Sequence, residues 1–158
     1  MPRQIDPDSF GFLITDVARL IRTEMDRRIG EAGLDVTAGE ARALAQAARA
    51  GVVRQTVLAE RMGVEAMTLT AYLDRLEARG LIERRTDPTD RRANLVHLTR
   101  QADVVLERMQ AIGSALRADV ARAIPPADWE RLQVTLKLAR ETLGEMRADT
   151  ILREGSPA

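Results

Sequence analysis

The chain has 158 residues, close to the size of one domain, and it contains no cysteine, which excludes disulfides, thiolate metal sites and direct thiol redox sensing. Its 24 basic and 24 acidic residues cancel, so the net charge by itself argues against a nucleic-acid partner, because free DNA-binding domains are usually basic. No run approaches the roughly 20 apolar residues of a membrane span and no signal-peptide core follows the N-terminus, so we expect a soluble, cytoplasmic protein without a membrane partner.

The first predicted elements are two helices. A long helix over about residues 8–32, with Asp6 or Asp8 as its cap, would be longer than a small domain needs. Its apolar residues form one helical stripe: Phe10, Leu13, Ile14, Val17, Leu20, Ile21 and Met25. Thr37 and Glu40 have the spacing of a capping box, which predicts a second helix from there to about Arg49.

The segment from Gln55 to Thr99 predicts a helix-turn-helix followed by a hairpin. A short helix from Gln55 closes at Gly63, and a second one over residues 65–79 closes at Gly80, because glycine readily adopts the positive φ of a helix stop. In the second helix Leu69, Leu73 and Leu76 form a buried stripe. The opposite, exposed face carries Met67, Thr68, Thr70, Ala71, Asp74 and Arg75.

Two strand-like runs follow, at residues 81–85 and 94–98, and they are joined by a loop rich in turn-forming residues that carries Arg91 and Arg92. This order of elements predicts a mainly α fold: a winged helix-turn-helix core over about residues 37–99 with a two-stranded β-wing. We expect the whole chain, 1–158, to form a single domain.

Two further long helices are predicted over about residues 100–122 and 127–149, separated by Pro125 and Pro126. Together with the first helix they have more apolar surface than one small monomer can cover, which predicts a homodimer. A two-fold axis would then place two recognition helices about 34 Å apart on an inverted repeat of double-stranded DNA.

Position within these elements suggests contact roles. Met67, Thr68, Thr70 and Ala71 can approach base edges in the major groove, where methyl groups suit thymine and hydroxyls pair with several bases. Gln55 and Thr56, at a helix start, are placed for phosphate contacts. Each residue also has an ordinary structural interpretation, because threonines often bond back to the helix and exposed arginines are usually solvated.

The chain resembles the multiple-antibiotic-resistance regulator (MarR) family of bacterial transcription factors. The resemblance rests on Leu58-Ala59-Glu60, on the run from Leu73 to Arg84, and on Asp87-Pro88-Thr89-Asp90-Arg91-Arg92 followed by Leu98-Thr99. It implies that the terminal helices form the dimer and that Arg92 enters the minor groove, with Asp90 orienting it. Arg75, Arg84 and Arg91 would then contact phosphates.

The same resemblance implies that a small aromatic or phenolic anion acts as effector between the dimer helices and the winged core, and that repression is the commoner outcome. The ligand residues, the operator and the regulated genes stay open. The chain departs from the family at Arg54 and Glu65, where a Ser or Thr cap is frequent, and at Ala71, where arginine is frequent. These differences bear on the operator sequence.

Catalysis is not expected. His97 is the single histidine, and it lies in a strand pattern typical of packing or surface residues. The sequence contains no phosphate loop, nucleophile elbow or metal-ligand cluster, so no cofactor, metal or catalytic residue is predicted. The remaining alternative is a winged-helix protein-interaction module that binds no operator, which the neutral net charge would suit.

Overall fold

The computed structural model describes residues 5–154, and their side chains as far as residue 150. This part of the chain is mainly helical with one small antiparallel sheet, which confirms the predicted fold class. The elements in order are α1 (Phe10–Glu31), α2 (Ala38–Ala50), β1 (Val53–Arg54), α3 (Gln55–Met62), α4 (Ala66–Ala78), β2 (Ile82–Asp87), β3 (Asp90–Leu98), α5 (Ala102–Ala121) and α6 (Pro126–Glu154). None of the helices within residues 5–154 combines the length and the apolar character that crossing a bilayer requires.

The helix starts agree with prediction at α2 and differ at α1. At α2 the capping box is complete: Glu40 N donates to Thr37 Oγ1 at 3.3 Å, and Thr37 N donates to Glu40 Oε2 at 2.9 Å. At α1 the N-cap position belongs to Ser9, whose side chain makes no capping bond. The predicted cap at Asp6 or Asp8 is therefore wrong, because Asp6 Oδ1 accepts from Asp8 N within the preceding turn.

The helix-turn-helix is built as predicted. Gly63 ends α3 with φ of 62° and Gly80 follows α4 with φ of 70°, a backbone conformation that glycine adopts without strain. Leu69, Leu73 and Leu76 of α4 are fully buried. They join a core of aliphatic side chains from α1 to α5, whose largest fully buried members also include Ile29, Leu44, Leu58, Ile82 and Val96.

The sheet has one strand more than predicted. Its order is β1-β3-β2, and Val53 of β1 pairs with Val96 of β3. A two-residue strand shows no alternation in sequence, which is why β1 was missed. β3 also begins at Asp90 and not at Asn94, so Arg91 and Arg92 belong to the strand immediately after the turn, and not to the loop as predicted.

The chain divides into two compact units, Met1–Leu116 and Arg117–Ala158. The first unit contains the winged core, and within it the apolar residues of α1 from Phe10 to Ile21 are exposed. The second unit contains α6, which is longer than predicted. Four residues of the predicted α6 stripe, Leu132, Leu136, Leu143 and Met146, are 39–61% exposed. The prediction of a single domain remains a prediction.

Candidate nucleic-acid interface

The outward face of α4 is exposed near its start and near its end, and it is partly covered in between. Met67 is 86% exposed and Thr68 is exposed beside it, whereas Thr70 and Ala71 are partly covered. The Thr70 hydroxyl donates to Ala66 O at 2.9 Å and accepts from Gln55 Nε2 at 2.7 Å. Thr70 therefore links α4 to the first residue of α3, while Met67 and Thr68 project freely.

A shallow cleft joins the start of α3 to the wing. It encloses about 170 Å³, and it is lined by Gln55, Thr56 and Ala59 of α3, Ala66 of α4, and Arg92, Ala93 and Asn94 of β3. The structure thus brings Arg92 together with Gln55 and Thr56, from which it is separated by more than 30 positions in the sequence.

The wing arginines Arg91 and Arg92 are exposed. Neither guanidinium has an ion pair or hydrogen bond among the residues that the structure describes. Asp90 Oδ1 accepts from the backbone amide of Arg92 at 3.0 Å, so the aspartate fixes the backbone from which that side chain projects. Two arginines without a partner among the described residues thus follow each other along β3 immediately after the hairpin turn.

Arg54 and Asp87 form a link that the sequence analysis missed. Arg54 Nε donates to Asp87 Oδ2 at 2.6 Å, and Arg54 Nη2 donates to Thr89 Oγ1 at 3.2 Å. Asp87 is 5% exposed, and its Oδ1 accepts from the Thr89 amide and hydroxyl. The Thr89 hydroxyl, the Thr89 amide and Arg54 lower the pKa of Asp87 to about 2. At position 54, where the family often has a Ser or Thr helix cap, the arginine side chain thus bonds to the hairpin turn of the wing.

Arg84 differs from the wing arginines because its guanidinium is already neutralised. It donates to Glu77 Oε2 at 2.6 Å and to Asp74 Oδ1 at 2.7 Å, and its side chain is 22% exposed. The side chain and the backbone amide of Arg84 hold the pKa of Glu77 below its ordinary value. The contact joins α4 to β2, so it positions the wing against the helix.

Arg75 is also neutralised. Its Nε donates to Glu40, and its guanidinium lies 5.6 Å from the centre of the Tyr72 ring. Arg79 Nη1 donates to the same carboxylate at 2.7 Å. The capping-box spacing had identified Glu40 only as a cap, since no local pattern relates it to arginines 35 and 39 positions later.

A second cleft lies among α1, α2 and the turn after α3. It encloses about 240 Å³ and is lined by Arg22, Arg42, Ala45, Gln46, Arg61, Met62, Gly63 and Val64. Arg42 donates to Asp26 at 2.6 Å. Arg22 and Arg61 have no ion-pair partner among the side chains that the structure describes, so this cleft has a positive character.

The fold and these surfaces define a winged helix-turn-helix protein. A model of the MarR family matches residues 36–93. Wild-type MarR from E. coli in its apo form is 25% identical, with 87% of this chain and 98% of that one covered and a TM-score of 0.72. The transcriptional regulator PA3341 is 34% identical over 87% of this chain and 99% of its own, with a TM-score of 0.69.

A third solved relative is CouR from Rhodococcus jostii RHA1, bound to p-coumaroyl-CoA. It is 27% identical over 85% of this chain and 94% of its own, with a TM-score of 0.64. These matches extend well beyond the winged core. The chain belongs to the MarR family of transcriptional regulators.

Proposed function

We propose that this protein is a homodimeric repressor that binds an inverted-repeat operator and is released from it by a small anionic ligand. The observation that supports DNA binding best is the cleft that joins Gln55 and Thr56 to Arg92. A helix start supplies amides for a phosphate, and the neighbouring unpaired guanidinium suits a narrow, negative minor groove. A protein that acts on DNA in this way would work in the cytoplasm.

Specificity is assigned to the exposed start of α4. Met67 and Thr68 would touch base edges, since their methyl groups suit thymine and the Thr68 hydroxyl pairs with several bases. Thr70 and Ala71 would contribute less by direct contact, because both are partly covered and the Thr70 hydroxyl is bonded to Gln55. Asp90 would orient Arg92 through its bond to the Arg92 amide.

Affinity is assigned first to the unpaired cations. Arg91, exposed and without a partner among the described residues, would pair with a phosphate. Arg75 and Arg84 would reach a phosphate only by exchanging their present carboxylate partners. We therefore assign them a smaller share of the electrostatic affinity than the sequence alone suggested. The zero net charge of the chain is compatible with this arrangement, because local unpaired charges, and not the total, meet the DNA.

Dimerisation is assigned to the terminal helices. Within α1, Phe10, Leu13, Ile14, Val17, Leu20 and Ile21 are 41–66% exposed on one stripe. The α6 stripe is exposed in the same way. Apolar stripes of this length are unusual on a monomer, and in this family of regulators the natural occupant is a second copy of the chain.

The effector is assigned to the arginine-lined cleft of α1 and α2. Arg22 and Arg61 supply unpaired positive charge, while Ala45, Met62 and Val64 supply an apolar wall, a combination that suits an aromatic or phenolic anion. CouR, bound to p-coumaroyl-CoA, offers a relative with a ligand of that class. Met62 and Val64 flank the turn into α4, so a ligand that binds the DNA-free state more tightly would weaken operator binding.

Fluorescence anisotropy with matched arginine variants tests DNA binding. The probe is the promoter fragment of the protein's own gene, with a scrambled duplex of equal length as reference. Arg92→Ala should reduce affinity for the promoter fragment by about 1–3 kcal/mol. Arg85→Ala serves as the control, because Arg85 lies on the same hairpin and is paired with Glu83 at 2.8 Å.

The rival function, a protein-interaction module, predicts a different result. It requires that Arg92→Ala and Arg85→Ala bind the fragment equally, or that the wild-type protein shows no preference for it over the scrambled duplex. Either result would overturn the proposed mode of DNA binding.

A further inference from the structure

Glu40 is a fully buried carboxylate whose two arginine partners lie on the recognition helix α4 and at its end. Its Oε1 accepts from Arg75 Nε, and its Oε2 accepts from Arg79 Nη1 at 2.7 Å and from Thr37 N at 2.9 Å. The side chains of Arg75 and Arg79 remain 48% and 33% exposed. One buried anion therefore pairs with two half-exposed arginines, of which Arg79 also has a longer ion pair from its Nε to Asp35 Oδ2 at 3.7 Å.

The cluster formed by Glu40, Arg75 and Arg79 lies at helix ends where the helix dipoles stabilise its charges. Glu40 lies in the first turn of α2, Arg75 lies in the last turn of α4, and Arg79 is the C-cap of α4. A negative charge at a helix start and positive charges at a helix end are both favourable. Burial raises the pKa of Glu40, but the bonds from Arg75, Thr37 and Arg79 outweigh burial and hold that pKa below its ordinary value. The carboxylate is thus charged at neutral pH.

A second contact joins the same two helices. A Cβ atom at position 39 would lie 2.5 Å from Cζ of Tyr72, so the Tyr72 ring packs directly against the backbone of Gly39. The Arg75 guanidinium lies over the same ring, 5.6 Å from its centre. The C-terminal half of α4 is therefore fastened to the first turn of α2, while Met67 and Thr68 at its start stay exposed.

We propose that Glu40 is a positioning residue for operator recognition, with two effects that rest on the proposed function. It fixes the direction in which α4 presents Met67 and Thr68. It also withholds Arg75 and Arg79 from phosphates, and so limits binding to DNA of any sequence. Non-specific affinity comes from cations that displace counterions from phosphates, and a guanidinium already paired with a buried carboxylate contributes less to that displacement.

The test compares operator with scrambled DNA. Glu40→Gln keeps the size of the side chain and an oxygen that can accept from Thr37 N, but its neutral amide cannot hold two guanidiniums. The ratio of operator to scrambled affinity should fall about tenfold, a loss within the range caused by one mismatched base pair. Scrambled-DNA affinity should rise, and the log-log salt slope should steepen by roughly 0.9 for each guanidinium that reaches a phosphate.

Thr37→Ala is the matched control. It removes the other half of the capping box, the bond from Glu40 N to Thr37 Oγ1, and leaves both guanidinium contacts in place. It should lower the unfolding midpoint and keep the wild-type affinity ratio and salt slope. Glu40→Asp, which withdraws the carboxylate by about 1.5 Å, gives a second variant if Glu40→Gln does not fold. It should change the ratio in the same direction.

A folded Glu40→Gln or Glu40→Asp protein with the wild-type ratio and salt slope would overturn the inference and leave the proposed function intact. An equal fall of the ratio in Thr37→Ala would overturn it as well, because helix capping alone would then explain the effect. Wild-type protein without operator preference would overturn the proposed function and this inference with it.

Discussion

Arg54 Nε donates to Asp87 Oδ2 at 2.6 Å, so the residue that precedes α3 holds the hairpin turn of the wing 33 positions further along the chain. Thr89 completes the link by donating its amide and hydroxyl to the other oxygen of Asp87. The start of α3 and the hairpin turn are therefore fixed to each other by side chains. Gln55 follows directly on one side of this link, and Arg92 follows on the other.

The pH dependence of stability should report this link. Bonds from Thr89 and Arg54 lower the pKa of Asp87 from its ordinary 3.8 to about 2 in the folded chain. A carboxyl with a lowered folded pKa stabilises the fold fully above its unfolded pKa, and this contribution is lost as the pH falls from about 4 to about 2. Urea unfolding midpoints should decline less over this window in Asp87→Asn than in the wild type.

The two partners of Asp87 can be separated in the same measurement. The Thr89 hydroxyl is the largest single cause of the lowered pKa, and Arg54 lowers the pKa both by its hydrogen bond and by its charge. Thr89→Ala and Arg54→Ala should therefore each flatten the acid decline relative to the wild type. A decline as steep as that of the wild type in either variant would contradict the arrangement of bonds around Asp87.

Thr68 and Arg91 should affect binding in different ways when they are replaced. Thr68→Ala should cost about 1 kcal/mol of operator affinity and leave scrambled-DNA affinity unchanged, because its proposed partner is a base. Arg91→Ala should weaken binding to both duplexes and make the log-log salt slope shallower by about 0.9 for each phosphate that is no longer neutralised. Anisotropy titrations at several salt concentrations measure both quantities. A sequence-dependent effect of Arg91→Ala would contradict its assignment to a phosphate.

Two leucines of α6 test the dimer with the same substitution. Leu136 belongs to the predicted stripe, whereas Leu138, 63% exposed, lies on the other side of the helix at 100° per residue. Leu136→Glu should place a charge in the interface and shift the mass in light scattering from two chains towards one. Leu138→Glu should leave the dimer unchanged. Two variants that both remain dimeric would count against the α6 stripe as the interface.

If the effector binds in the arginine-lined cleft, replacing an arginine of this cleft should change how readily a ligand releases the protein from DNA. With p-coumarate and p-coumaroyl-CoA as probes, Arg61→Ala should raise the concentration needed to release the operator about tenfold, the effect expected for removal of one charge-assisted bond of about 1.4 kcal/mol. Arg49→Ala, an exposed arginine of α2 outside the cleft, should behave as the wild type. Equal release concentrations for both variants would exclude Arg61 from the effector site.

Local patterns predicted most of the fold correctly. The Leu69, Leu73 and Leu76 stripe, the glycine stops and the capping box each depend on residues a few positions apart, and periodicity and backbone preference record such relations directly. β1 was not predicted, because a strand of two residues is too short to show the alternation of apolar and polar residues. Its pairing with β3 also depends on residues more than 40 positions away.

The interface was less predictable, because the sequence indicates where an arginine lies along a helix or strand and not which carboxylate neutralises it. Arg75, Arg84 and Arg91 look alike as exposed cations in the sequence. In the folded chain Glu40 holds the first, Glu77 and Asp74 hold the second, and the third has no partner among the described residues. These pairings are set by tertiary packing, so only the structure separates the free charges from the neutralised ones.

The most direct test of the central claim is selection of DNA from a random duplex pool, followed by hydroxyl-radical footprinting of the selected sequence with wild-type and Arg92→Ala protein. The proposed function predicts an inverted repeat whose half-sites are centred about one helical turn apart, with flanking minor-groove protection that disappears in Arg92→Ala. An unenriched pool, or a site with a single unrepeated half and no protection that depends on Arg92, would contradict it.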